Sequence, residues 1–346
     1  MKSTTDIDGI QYLRAIAALM VVAHHARHYF PDVSLWSTIG SRGVDIFFVI
    51  SGFIMAHSTR AFQSGGDRSA QAMSFLLKRF VRVVPLYWIA LLWTSKKLLA
   101  TGDGAWGAMQ DLLFIPHYHA VYTSAIYPYL VPGWSINYEM FFYALFAASM
   151  LLGKLRYVFM TVTLGGLLVL GLFEWTAAPL VFYTSSVLLE FLLGIGVFFA
   201  MRFTFGLGRP ILVFLTLSGL CLLSVENSDA SRGYADGPFA ALIVWSTVLW
   251  AKDLKIGWLH AIGDASYSIY LFHLASFWIP ATLLHKAGIE TASPLTVVCV
   301  IAIHVATAVC IGLAIHRVVE RPLMSYFRDR LETARLGRER ALVLRP

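Results

Sequence analysis

Residues 14 to 25 read RAIAALMVVAHH: an arginine, a run of apolar residues, then two histidines. Arginine is a permanent cation, and histidine is the side chain whose ordinary titration lies closest to neutral pH. At ~100° per residue the eleven positions from Arg14 to His25 make about three helical turns, so both share one face, ~16 Å apart along the axis. His28 falls on nearly the same face, whereas His24 points about 100° away. The pair can serve anion binding at one depth and acid–base chemistry at another. The plainer reading is an arginine that reaches for lipid headgroups and histidines that bond to neighbouring helices. Ionisable groups inside an apolar bundle are costly, which is why they tend to mark a site or a pathway.

Further stretches add partners. GVDIFFVISGFIM, residues 43 to 55, sets Asp45 at a depth compatible with His25. An aspartate beside an imidazole can fix its tautomer. In the same stretch Ser51-Gly52 offers a hydroxyl or simply a close helix contact. KRFVRVVPLYW, residues 78 to 88, places Arg79 and Arg82 three apart at an expected helix start. Two guanidinium forks there suit phosphate groups, whether of a ligand or of lipid. WSINYEMFFYALF, residues 134 to 146, buries Glu139 among aromatic rings, where it needs a partner or a proton. It can orient His25, grip a hydroxyl or pair with a base. EFLLGIG opens on Glu190, and GDASYSIYLFH, residues 263 to 273, lays Ser266, Tyr270 and His273 along one polar ridge. Ser51, Tyr270 and His273 are therefore candidate substrate contacts, with helix-to-helix hydrogen bonding as the alternative.

The elements that must position these residues are membrane helices. The 346 residues are 58% hydrophobic and only 14% charged, far from a soluble composition. Apolar patterning predicts an all-α polytopic membrane protein of about ten spans, near 10–30, 41–58, 77–95, 134–152, 157–173, 181–200, 210–225, 238–251, 264–284 and 295–315. With the N-terminus inside, 21 lysines and arginines fall on the cytoplasmic side and 6 on the outer side, which favours both termini in the cytoplasm. The net charge of +7 thus reads as topology and not as a nucleic-acid footprint. The first span keeps Arg14 and two histidines and lacks a small-residue cleavage site, so it is expected to be retained. Residues 96–133, rich in aromatics and proline, read as an interfacial cap. Residues 1–316 are expected to form one membrane domain, followed by a basic cytoplasmic tail, 317–346, that anionic lipid would attract. Cys221, Cys299 and Cys310 sit in apolar segments without metal-ligand spacing and read as small buried hydrophobes.

Taken in order, IQYLRAIAALMVVAHH, GSRGVDIFFVISGFIM, KRFVRVVPLYW, VPGWSINYEMFFY, EFLLGIG, GDASYSIYLFH and ERP resemble the membrane-bound acyltransferase-3 family, and within it the exopolysaccharide O-acetyltransferases. The resemblance spans nearly the whole chain. It puts the family's arginine–ten residues–histidine pattern on Arg14 and His25, and its arginine–two residues–arginine pattern on Arg79 and Arg82. Where many relatives carry SVEE, this chain has NYEM, residues 137 to 140, which leaves one acid, Glu139. The resemblance implies a bacterial inner-membrane enzyme with no permanently bound cofactor. Acetyl-coenzyme A would be the acyl donor, and a sugar or lipid-linked glycan hydroxyl the acceptor. Arg79 and Arg82, with Arg14, would hold the donor's phosphates. His25 would act as general base or as a transiently acylated nucleophile, oriented by Asp45 or Glu139, and Ser51 would be a candidate oxyanion donor. The rival classes are a proton-coupled transporter of a sugar or small anion, and a non-catalytic subunit of a polysaccharide export complex. No inverted repeat supports the transporter.

Overall fold

The computed structural model describes residues 7–27, 39–60, 62, 67–94, 102–119, 125–203, 206–223, 231–286, 288, 293–330 and 333. Most of these residues are helical, with no strand among them. The helices are α1 (Asp8–Ala26), α2 (Gly43–Ser58), α3 (Arg68–Thr94), α4 (Gly102–Leu112), α5 (Gly133–Leu151), α6 (Arg156–Leu170), α7 (Ala178–Tyr183), α8 (Leu188–Ala200), α9 (Arg209–Leu222), α10 (Arg232–Ala235), α11 (Gly237–Trp250), α12 (Gly257–Asp264), α13 (Ser266–Ser276), α14 (Trp278–Lys286) and α15 (Pro294–Ile315).

Among the described residues each expected span falls mainly on helix, although 181–200 is divided between α7 and α8, and 264–284 between α13 and α14. Among the described residues four helical stretches are long and apolar enough to cross a membrane: Gly153–Leu170, Ala178–Ala200, Ser266–Lys286 and Leu295–Arg330. The apolar helices α9 and α11 are shorter. Only 17% of Gly153–Leu170 and 22% of the window in Leu295–Arg330 is buried, so these apolar helices turn most of their surface outward. An outward apolar surface on this scale is what a lipid environment solvates. The same fact corrects the reading of the cysteines. Cys221, Cys299 and Cys310 are exposed on such faces and not buried in the core.

α1 runs through the middle of the bundle and packs against α2, α11, α12, α13 and α15. α2 and α8 approach closely because Gly52 and Gly194 face one another. A Cβ on Gly52 would meet the Phe191 carbonyl, and one on Gly194 the Val49 carbonyl. Gly52 therefore serves helix packing while its neighbour Ser51 faces the other way, into the interior. Phe48, Phe142 and Phe191 fill the core beside this contact, with ring centres 4.7 and 4.4 Å apart.

Two boundaries differ from expectation. α3 starts at Arg68, well before 77, so Arg79 and Arg82 lie inside a helix and not at its start. A helix dipole gives them no help with phosphate; they act as guanidiniums alone. At the other end, Leu295–Arg330 is one helix, so a division after 316 falls within it. A π-turn at His316–Glu320 buries both of those side chains. The wider turn comes just before Pro322, whose missing N–H interrupts the ordinary ladder. Glu320 accepts from Ser268 Oγ at 2.6 Å and from His316 Nδ1 at 2.7 Å, tying this segment to α13.

The 96–133 connection contains α4, anchored by the buried Asp111. Its Oδ1 is 2.8 Å from His117 Nε2, and its Oδ2 accepts the Tyr129 N–H at 2.8 Å. Partial burial pulls the His117 pKa down, but the bonds to Asp111 and to the Tyr118 carbonyl, with the Asp111 charge, outweigh it and raise the pKa above 6.5. A raised folded-state pKa adds stability that is fully present below ~6.5 and is lost as pH climbs through the folded value. Melting wild type and His117→Gln in nanodiscs from pH 5.5 to 8.5 should therefore show the wild-type advantage shrinking with rising pH. A gap constant across that range would refute the pairing.

Candidate active site

α1, α2, α3, α5 and α13 enclose a cavity of about 370 Å³. Six of the nine candidate site residues line it, Arg14, Arg79, Arg82, Ser51, Glu139 and Tyr270, and Ser266 of the same polar ridge as Tyr270 lines it too. Its charged lining is three guanidiniums against one carboxylate, so the cavity attracts anions. Arg14 donates to Gln11 Oε1 at 3.1 Å, one turn earlier on α1. Arg79 lies over the Phe75 and Tyr143 rings, 5.6 and 5.8 Å from their centres, a cation–π clamp that fixes the side chain. Among the described residues Arg82 makes no hydrogen bond and no ion pair. Its guanidinium is thus uncommitted beside two others.

Glu139 Oε1 accepts from Ser51 Oγ at 2.8 Å and from the Tyr143 hydroxyl. Ser51 spends its one proton on Glu139, so in this arrangement it does not serve as an oxyanion donor. In the same lining the Tyr270 hydroxyl donates to the Pro132 carbonyl at 2.9 Å and lies 2.7 Å from Ser135 Oγ. Tyr267 caps the wall by donating to the Val83 carbonyl at 2.7 Å.

His25, Asp45 and His273 lie outside the lining. The Tyr270 ring connects the cavity to His273, whose ring centre is 6.1 Å away, and His273 is 4.8 Å from His25. Nδ1 of His25 is 2.9 Å from the Val21 carbonyl, one turn back on α1. A carbonyl only accepts, so Nδ1 carries the hydrogen and Nε2 keeps its lone pair. The backbone thus fixes the tautomer that was expected to need Asp45 or Glu139. Asp45 is otherwise engaged: Arg232 grips it bidentately, Nε to Oδ1 at 2.8 Å and Nη2 to Oδ2 at 2.6 Å. Arg232 also donates to the Ser41 carbonyl at 2.8 Å and lies over Trp134. Asp45 belongs to that buried pair, and Glu139 to the cavity. His28 lies outside the described residues.

Sequence reasoning missed Gln11, Ser135, Tyr143 and Tyr267 as cavity residues, and Arg232 as the partner of Asp45. Gln11 and Tyr143 stood one turn from Arg14 and Glu139, which is the helical spacing that could have found them. Nothing in the spacing joins Arg232 to a residue 187 positions earlier.

Residues 7–314 match the family profile described as an acyltransferase domain, the acyltransferase-3 type. The chain belongs to the acyltransferase-3 family. Within it, the chain is 32% identical over 322 residues to the exopolysaccharide production protein ExoZ of Rhizobium meliloti, covering 87% of this chain and 94% of that protein. It is 30% identical over 149 residues to the acyltransferase MdmB of Streptomyces mycarofaciens, 39% of this chain and 36% of that one. Over 90 residues it is 33% identical to the peptidoglycan O-acetyltransferase OatA of Listeria monocytogenes, 26% of this chain and 13% of that protein. No solved structure matches. For an acyltransferase the cavity offers a cationic socket for an anionic donor, and the fixed tautomer of His25 offers a base.

Proposed function

We propose that this protein transfers an acyl group, acetyl, from cytoplasmic acetyl-coenzyme A to a sugar hydroxyl of an exopolysaccharide or its lipid-linked precursor. The reading places the chain in the bacterial inner membrane with ten crossings and both termini in the cytoplasm, residues 1–316 carrying the reaction and 317–346 lying against anionic lipid. The similarity to an exopolysaccharide production protein supports the acceptor class. The observation that carries the donor class is the meeting of Arg14, Arg79 and Arg82 in one cavity, whose lining also includes Tyr270, the ring that adjoins His273 and through it His25.

In this reading the three guanidiniums hold the donor's phosphates, and its pantetheine arm delivers the thioester past Glu139 and Tyr270. Nε2 of His25 takes the proton of the sugar hydroxyl as that oxygen attacks the carbonyl carbon. The carbon–sulfur bond breaks, and the proton passes to the thiolate.

The donor step is tested by titrating acetyl-coenzyme A into protein held in nanodiscs. A hydrogen bond to a charged group is worth ~1.5–3 kcal/mol, so Arg82→Ala should weaken binding ~10- to 100-fold with little change in melting temperature. Arg79→Ala should weaken binding similarly and also lower the melting temperature, because it strips the clamp over Phe75 and Tyr143. Full donor affinity in both variants would overturn the phosphate assignment.

A further inference from the structure

His273 is wholly buried on α13, and its ring is 4.8 Å from that of His25. Nδ1 of His273 is 2.7 Å from the Tyr270 carbonyl, so that nitrogen carries the hydrogen. Nε2 is left as a buried lone pair with no hydrogen bond among the described residues. Buried acceptors are nearly always satisfied, and an exception calls for an account of what it is waiting for. With no exposed surface, His273 does not meet substrate in this conformation, which sets aside its reading as a substrate contact. The charged or titratable groups that act on it are His25 and His24, both on α1.

The two rings are built alike. Each ties its Nδ1 to a backbone carbonyl, and the two rings are in contact. The buried acceptor on His273 stays unmatched while its own ring and that of His25 are neutral. Once His25 takes a proton, however, it gains an Nε2–H, and an ionised donor in a low-dielectric interior gains most from an acceptor already in place. We propose that His273 is a positioning residue for the transfer reaction, its Nε2 accepting from the protonated His25 and stabilising the imidazolium until the proton reaches the leaving thiolate. This rests on the acyl-transfer reading of the site. The step balances without a co-reactant: the hydroxyl oxygen bonds to the thioester carbon, the carbon–sulfur bond breaks, and one proton moves from hydroxyl, by way of the imidazole pair, to sulfur.

The test uses the full chain in nanodiscs, acetyl-coenzyme A as donor and methyl glucoside as a soluble acceptor. Turnover, donor Kd and melting temperature are measured for wild type, His273→Phe and His273→Gln. Turnover is then followed across mixtures of light and heavy water. Hydrogen-bond partners of a functional imidazole are worth ~10–100-fold at metal centres, and a loss of that order is expected for His273→Phe with an unchanged donor Kd. Glutamine keeps an acceptor near the Nε2 position, so His273→Gln should recover part of the rate. Wild type should give a bowed dependence on heavy-water fraction, from a proton shared between two rings, and both variants a straight line. A merely structural histidine would lower melting temperature and donor affinity together and leave the shape of that dependence alone. That result, or wild-type turnover in His273→Phe, overturns the proposal; if His273→Phe fails to fold, His273→Gln carries the same test. A wild type that neither binds nor cleaves any short acyl-coenzyme A overturns the acyl-transfer reading itself, and this inference with it.

Discussion

His25→Ala is expected to lower acyl transfer by ~10²- to 10⁴-fold, the range that a positioned general base supplies. Its effect should fall on turnover and not on donor affinity, because His25 does not line the cationic cavity. The expectation follows from the Val21 carbonyl, which accepts from Nδ1–H and so puts the basic lone pair on Nε2. Free thiol released from acetyl-coenzyme A, measured beside donor Kd, separates the two effects. An alanine variant that loses donor binding in proportion to turnover would recast His25 as a packing residue. Glu139→Gln offers a contrast within the same cavity. Glutamine retains an acceptor oxygen for Ser51 and Tyr143 but no charge, so a milder loss, expressed partly in donor affinity, is expected.

How far the site was legible before the structure depends on what kind of spacing each residue obeys. Arg14 and His25 share one helix, and ~100° per residue is enough to put them on one face. Arg79 and Arg82 share another. The cavity brings Arg14 together with this pair, and sequence could only guess at that from common depth. Depth was also misleading. Asp45 and His25 were matched by level, but rotation about the helix axis turns Asp45 toward Arg232, in a segment that carries no apolar pattern and so no register. Ser51-Gly52 offered a hydroxyl or a close helix contact: Gly52 makes the contact, while Ser51, facing another way, gives its proton to Glu139. The helices were legible because burial and lipid both demand apolar runs. Their ends were not, because α3 continues backward through polar residues that a hydropathy reading leaves out.

The largest stability effect is expected at Arg232, not in the cavity. Asp45 is fully buried, and Arg232 supplies both hydrogen bonds that compensate its charge. Arg42 and Asp236, 3.1 Å apart and equally buried, form a second pair, and Glu190 lies beside Asp45. Three carboxyls thus share two guanidiniums, which leaves little slack if one guanidinium is removed. Breaking a buried pair from one side costs ~3–5 kcal/mol, mainly from the charge left without a partner. Arg232→Ala should therefore unfold at markedly lower denaturant in mixed micelles, and Arg232→Lys should restore only part, since an ammonium cannot form the fork. The double variant Arg232→Met with Asp45→Leu removes both charges and should be more stable than Arg232→Ala alone, because paired charges can often be exchanged for apolar packing. It also decides what Asp45 does. If Asp45 only answers Arg232, the double variant keeps its acyl-transfer activity; if Asp45 acts on His25 as the sequence suggested, activity is lost while the fold survives.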